Sequence, residues 1–175
     1  NISNEDVVVI SGAGTLGLGM ITYARMKNPK LLIVLDMQQN RLDTAKEFGA
    51  DLVFNPGECD IDKEIKALTD GYGCDIYIEA TGNPASVIQG LTISKLGTFV
   101  EFSVFGKETT ADWSIIGDRK ELNILGSHLS PYAYPFVIEN MLKGNLKTDG
   151  VVSHIFKIEE WEKAFDYATG KYGDF

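Results

Sequence analysis

Short runs that are apolar at every position, separated by amphipathic stretches, constrain this chain more than any other feature of its sequence. VVVI at 7–10, LLIVL at Leu31–Leu35 and LVF at Leu52–Phe54 lack the in-and-out alternation of a sheet with one wet face. A strand apolar throughout is covered on both sides, and the sheets covered on both sides are parallel ones. Parallel neighbours need crossovers, which helices supply, and these crossovers are right-handed. The expected fold is a three-layer α/β/α Rossmann-type domain with a doubly wound parallel sheet, strand order 3-2-1-4-5-6. At 175 residues it is one domain, 1–175.

The remaining elements follow from spacing. Helices are predicted over 16–27, over 40–48 with Gly49 as the stop, and over 61–69 with Ile61, Ile65 and Leu68 on one face. The turn pair Pro56-Gly57 closes the third strand. A strand is predicted at 75–80, then a helix capped by Asn83 with Pro84 at its first position. Gly97 is read as the end of that element, followed by a strand at 98–102. Residues 112–118 read as a turn or short helix, and 123–127 as a strand. Ser130-Pro131 read as a cap and first position for a helix reaching Lys143, 151–156 as a strand, and 159–168 as a helix with Trp161, Ala164, Phe165 and Ala168 on one stripe.

The net charge of −9 argues against a nucleic-acid partner bound through the overall field. No run approaches the length of a membrane span, so no membrane partner is expected. Two cysteines, Cys59 and Cys74, are too few for a structural zinc site and read as reduced thiols of a cytoplasmic protein. The chain opens at Asn1, with strand-like sequence almost at once, and reads as a domain of a longer protein.

The first strand runs into Ser11-Gly12-Ala13-Gly14-Thr15-Leu16-Gly17, which contains G-x-G-x-x-G. Gly12 lets the chain turn sharply, Gly14 lets a diphosphate approach the backbone, and Gly17 lets the helix pack close. The helix N-terminus offers free N–H groups and the positive end of its dipole. With 18 glycines in the chain the pattern alone is weak. Its context makes it strong: a strand before, a helix after, and a second apolar strand ending in Asp36, where a ribose-binding carboxylate belongs. A 2′-phosphate about 5 Å from that carboxylate would be repelled by roughly 3 kcal/mol at an effective dielectric of about 20, which is about two decades of affinity. Met37 and Gln38 supply no cation, so NAD is favoured over NADP. Arg41 is either an adenine-stacking group or an ordinary solvated helix residue.

Other candidates carry less. Tyr23 with Lys27, and Tyr167 with Lys171, have the Tyr-x-x-x-Lys spacing of short-chain dehydrogenases. The first pair points along the outside of the domain, the second lacks a serine partner, and that family spaces its glycines G-x-x-x-G-x-G; both pairs read as coincidence. His128 follows a strand at the carboxyl edge, where it lines a nicotinamide pocket or faces water. His154 reads as structural. Glu79 and Glu101, at strand ends, each face the cleft or are satisfied or solvated carboxylates, the second reading being favoured. Thr81-Gly82 is small enough to admit a ribose.

In order along the chain, GAGTLGLG, LIVLDMQQNR, AKEFGAD, DIYIEATG, KLGTFVEFSVFG and VVSHIFKIEEWEKAF resemble the landmarks of zinc-containing medium-chain alcohol dehydrogenases, in particular the polyol branch of sorbitol dehydrogenase relatives. The stretch from EFSVFG through DWSIIGDRKELNILGSHLSPY is most similar to erythritol/L-threitol dehydrogenases. The resemblance implies a parent enzyme that oxidises a polyol or secondary alcohol, with zinc polarising the alkoxide and NAD taking the hydride. It implies a cofactor-binding set of Gly12, Gly14, Thr15, Leu16 and Gly17 at the diphosphate, and Asp36 and Arg41 at the adenosine half. Thr81 and Gly82 lie near the ribose, Phe102, Ser103 and Val104 at the nicotinamide, and Ser127, His128 and Leu129 on the far wall. It also implies dimerisation through the edge segment 123–129. The family's GroES-like catalytic domain, its zinc ligands and the last strand after Phe175 have no counterparts here, so the chain by itself is expected to have no catalytic residue and no metal site. A stand-alone nucleotide-sensing module is the alternative; a methyltransferase would leave the diphosphate cradle without a purpose.

Overall fold

A computed structural model of the chain describes residues 1–129 and 132–172. The apolar runs become β1 (Val7–Ser11), β2 (Leu31–Leu35) and β3 (Leu52–Phe54), joined by β4 (Cys74–Glu79), β5 (Ser94–Glu101) and β6 (Asn123–Gly126). All neighbours are parallel, in the order β3-β2-β1-β4-β5-β6. This is the expected doubly wound sheet, and the chain reverses direction across it between β1 and β4.

Among the described residues the α-helices are α1 (Thr15–Met26), α2 (Gln39–Glu47), α3 (Ile61–Leu68), α4 (Pro84–Ile93), α5 (Tyr134–Leu142) and α6 (Trp161–Ala168). Successive residues of a strand point to opposite faces, and the core divides accordingly. Val8, Ile10, Leu32 and Val34 pack with Leu18, Ile21 and Ala24 of α1 and with Ala45 and Phe48. Val7, Val9, Ile33 and Leu35 pack with Ile61 and Ile65 of α3 and Val87 and Leu91 of α4. On that second face Tyr77 stacks on Phe99 at 5.5 Å. A Cβ at Gly90 would come within 2.4 Å of the Tyr77 ring, so α4 lies against the aromatic pair at its one residue without a side chain. Asn83 caps α4 by accepting from the Ala85 N–H, as its sequence position predicts.

Two expectations fail. Gly97 does not end α4. The helix stops at Ile93, where Ser94 turns extended, donates its hydroxyl to the Gly90 carbonyl at 2.7 Å and pairs with Cys74. Gly97 instead lies inside β5, in an irregularity that holds two extra residues against β4, and a Cβ there would strike the Asp75 carbonyl at 2.2 Å. Residues 151–156 form no strand. Val151 packs onto the α1 side of the core, the segment pairs with no strand among the described residues, and Val152 and Ile155 face water. Residues 112–118 hold a short 3₁₀ turn, Trp113–Ile115, followed by a π-helical turn, Ile116–Lys120. The expected Ser130-Pro131 cap lies outside the described residues; the helix beyond it is α5. The apolar stripe of α6 is present, but Trp161 and Phe165 are exposed.

Candidate functional site

The carboxyl ends of the strands align in one row. Phe54, Leu35, Ser11, Glu79, Glu101 and Gly126 are successive register partners across the sheet. Pairing continues one residue further, with Gly12 N–H donating to the Leu35 carbonyl, Ala80 to Ser11, Phe102 to Glu79 and Ser127 to Glu101. Every sequence-predicted site residue other than Arg41 therefore emerges within a few residues of this row or, like Thr15, Leu16 and Gly17, in the helical turn that follows it.

The glycine loop leaves the row at β1. Gly12 has φ +107°, and a Cβ there would meet the Ala80 carbonyl at 2.8 Å. A Cβ at Gly17 would overlap the Gly12 carbonyl at 2.0 Å, so Gly17 is what seats α1 on the loop. Gly14 differs from both, because the nearest atom to a Cβ there is an Arg41 guanidinium nitrogen at 3.9 Å. Its missing side chain leaves open space in front of the α1 N-terminus, whose first turn carries no capping side chain. Free N–H groups at a helix start, with room before them, suit an anion.

Asp36 sits one residue past the row on β2. Its carboxylate accepts from the Ala13 N–H at 2.8 Å and from the Gln38 N–H at 3.0 Å. The acid thus braces the glycine loop and is itself held in one orientation. A cavity of about 340 Å³ opens at this point, bordered by Gly12, Gly14, Asp36, Arg41 and Thr81, a size within the range of small-molecule sites. A second cavity of about 210 Å³ adjoins it at Gly14 and Arg41 and is lined also by Thr15. Arg41 is half-buried between the two, and makes no ion pair among the described residues. Its guanidinium is the group nearest to the position a Gly14 Cβ would take, at 3.9 Å.

Further along the row, Gly82 has φ +71°, and a Cβ there would meet the Val104 carbonyl at 2.6 Å, so the loops after β4 and β5 touch. Phe102 and Ser103 are half-buried, whereas Val104, Ser127, His128 and Leu129 are exposed, as is Leu16 at the start of α1. These residues stand beside the cavity but do not line it. Glu101 accepts from the Ser103 N–H at 2.8 Å; burial pushes its carboxyl up, the Ser103 bond opposes this, and the Glu79 charge adds to it.

Sequence reasoning missed one part of this site. Ser11 and Ser86 line the cavity and are hydrogen-bonded to each other at 2.7 Å, with the buried Tyr77 hydroxyl joined to Ser86 at 2.9 Å. Glu79, named from the sequence as a strand-end carboxylate, is the satisfied one of the readings offered for it and is fully buried. One carboxylate oxygen takes the Thr81 N–H at 2.9 Å and the Thr81 hydroxyl; the other takes the Gly82 N–H at 3.1 Å and the Ser103 hydroxyl. A serine at the end of β1 and another in the first turn of α4 carry no sequence signal for lining the cavity. Neither Tyr-x-x-x-Lys pair approaches the site: the Lys27 ammonium lies over the Tyr23 ring at 5.1 Å, near the far end of α1, and Lys171 pairs with Asp166. Among the described residues no group of three His, Cys, Asp or Glu side chains could hold a metal ion.

An open glycine turn, a bare helix start and a fixed carboxylate at the crossing point of a doubly wound sheet define a Rossmann-type nucleotide-binding domain. The chain belongs to the zinc-binding dehydrogenase family, whose family model matches residues 15–143. It is 48% identical over 172 residues to an erythritol/L-threitol dehydrogenase of Mycolicibacterium smegmatis, a match that covers 97% of this chain and 48% of that protein. Among solved structures it is similar to zinc dependent alcohol dehydrogenase 2 from Streptococcus pneumonia, with TM-score 0.88, 31% identity, and coverage of 98% of this chain and 51% of that one. It is also similar to an alcohol dehydrogenase of E. coli CFT073 complexed with NADH, with TM-score 0.88, 25% identity, and coverage of 96% and 50%. The chain spans about half the length of the curated relatives it matches.

Proposed function

We propose that this chain is the NAD(H)-binding domain, residues 1–175, of a zinc-dependent alcohol or polyol dehydrogenase, which oxidises a secondary alcohol to a ketone by hydride transfer to NAD. The observation that carries the reading is the position of Asp36, held by the Ala13 and Gln38 N–H groups in the same cavity as Gly14 and Arg41. The cavity suits the dinucleotide, because the space a Gly14 Cβ would fill lies directly before the free N–H groups of α1. Bound there, the dinucleotide supplies the hydride acceptor. The residues of this chain bind and orient it. Gly12 to Gly17 receive the diphosphate, with Arg41 adding a charge beside it. Asp36 accepts the hydroxyls of the adenosine ribose and repels a 2′-phosphate. Thr81 and Gly82 flank the second ribose, Phe102 to Val104 hold the nicotinamide through main-chain atoms, and Ser127 to Leu129 close the far wall. No donor set for zinc exists among the described residues, so we assign the metal and the substrate contacts to the other half of the parent and derive no step through them.

We further assign a homodimer contact to the outer edge of β6, along 123–129, and place the protein in the cytoplasm, where Cys59 and Cys74 remain free thiols. No helix among the described residues is long and apolar enough to cross a membrane. Titration calorimetry tests the cofactor reading. NADH is expected to bind about a hundredfold tighter than NADPH, and Asp36→Ala is expected to narrow that ratio. Equal affinities in the unmodified chain would refute the role given to Asp36.

A further inference from the structure

We infer that Glu79 is a positioning residue for the nicotinamide half of the cofactor, a buried anion that joins the two loops on which that half would rest. The inference builds on the dinucleotide reading above and assigns to Glu79 a role that the sequence did not suggest. The carboxylate is at 0% exposure, and no ion pair among the described residues neutralises it. A buried charge of this kind persists only when hydrogen bonds replace its hydration. Four donors do so, two on each oxygen, which fills the accepting capacity of the group.

The origin of those donors gives Glu79 its role. Thr81 N–H, Thr81 hydroxyl and Gly82 N–H belong to the loop after β4, and the Ser103 hydroxyl belongs to the loop after β5. The Ser103 hydroxyl also lies 3.1 Å from the Glu79 carbonyl. The connection extends outward, because the Thr81 hydroxyl oxygen accepts the Asn83 N–H at 2.9 Å, and Asn83 caps α4. One carboxylate therefore fixes the spacing between the segments 81–83 and 102–104, which meet where Gly82 passes under the Val104 carbonyl. Asp36 and Arg41 are on the other side of β1 and share none of these bonds. Loss of the Glu79 charge should loosen one half of the site and leave the other intact. Glu79→Gln is close to isosteric, but its amide NH₂ turns a donor toward donors and cannot accept them.

Two measurements test this. The first is hydrogen exchange of the 175-residue chain without ligand. Glu79→Gln should speed exchange in peptides containing Thr81, Gly82 and Ser103, and leave β1 and the Asp36 turn unchanged. The second is binding of AMP, which probes the adenosine half, against NADH, followed by calorimetry and by nicotinamide fluorescence. Glu79→Gln should weaken NADH by about tenfold, blunt the fluorescence change and leave AMP affinity unaltered. Ser103→Ala, which breaks the link to the second loop alone, should do the same more weakly, and it takes over both measurements if Glu79→Gln does not fold. NADH binding as tight in the variants as in the unmodified chain, or an equal loss of AMP and NADH, would overturn the proposal. An unmodified chain that binds AMP but not NADH would overturn the cofactor reading, and the nicotinamide role with it. Unchanged exchange would remove the loop-joining role whatever the cofactor.

Discussion

The three glycines of the loop are identical as residues and differ entirely in what surrounds them. Gly17 faces a backbone carbonyl at 2.0 Å, and Gly14 faces only a guanidinium at 3.9 Å across open space. Substitution should separate the two roles. Gly17→Ala must push α1 off the loop and is expected to destabilise the fold by about 3 kcal/mol, read as a lower urea midpoint. Gly14→Ala keeps an ordinary backbone conformation, and its cost is that of a poorer N-cap residue, about 1 kcal/mol. Its stability should fall by much less than that of Gly17→Ala, while NADH affinity falls at least about tenfold, about 1.4 kcal/mol. A Gly14→Ala chain that binds NADH normally would show that the diphosphate lies elsewhere. The G-x-G-x-x-G pattern and Asp36 were legible in the sequence because both are fixed by local spacing. The bond from Ala13 to Asp36 was not, because it joins residues 23 apart through the pairing of β1 with β2.

Elements were legible where one local signal decided them. The Asn83-Pro84 pair placed the start of α4, and three apolar runs placed three strands. The end of α4 was decided instead by a competitor. Gly97 carries a stop signal, but Ser94, fully buried, ends the helix earlier by bonding the Gly90 carbonyl and entering the sheet beside Cys74. At 151–156 local pattern was not enough, because a strand exists only where it pairs, and this segment packs Val151 onto the α1-side core instead of pairing. β6 does have an outer edge, with Leu125 exposed at 52%. Charges on edge strands oppose strand pairing, so Leu125→Lys is expected to give a folded monomer whose thermal midpoint no longer depends on protein concentration, if two copies join there. A sedimentation velocity profile that is the same for both chains would remove β6 from the contact.

At the scale of the whole molecule, the sheet buries groups whose titration links stability to pH. Burial pushes the Cys74 thiol from 9.0 up to about 12, against a smaller opposing bond from Ser94. Between these values the unfolded chain loses a proton that the folded chain keeps, so stability falls as pH rises. The loss begins near pH 9, with a slope approaching about 1.4 kcal/mol per pH unit, and ends near pH 12. Urea midpoints between pH 9 and 10 should fall in the unmodified chain and fall much less in Cys74→Ala; equal slopes would mean that Cys74 is not the titrating group. The buried Tyr77 hydroxyl, also raised by burial, adds a loss of the same sign at higher pH. The division of labour proposed between this domain and the rest of its parent has its own test. The 175-residue chain should bind NADH yet oxidise none of a panel of four- to six-carbon polyols, with or without added zinc. Turnover by this chain would defeat the two-domain account.

The layered parallel sheet, the glycine turn and the acid after β2 could all be read from the order of residues alone. Each of these depends on residues close along the chain or on the two-sided burial of a strand, and hydrophobic pattern encodes both. Packing in three dimensions was needed to set Ser94 rather than Gly97 as the end of α4, to turn Arg41 toward Gly14 and to bury Glu79 under two loops. Those outcomes depend on which strands become neighbours and in what register, because an isolated segment cannot specify the partner that satisfies its polar groups.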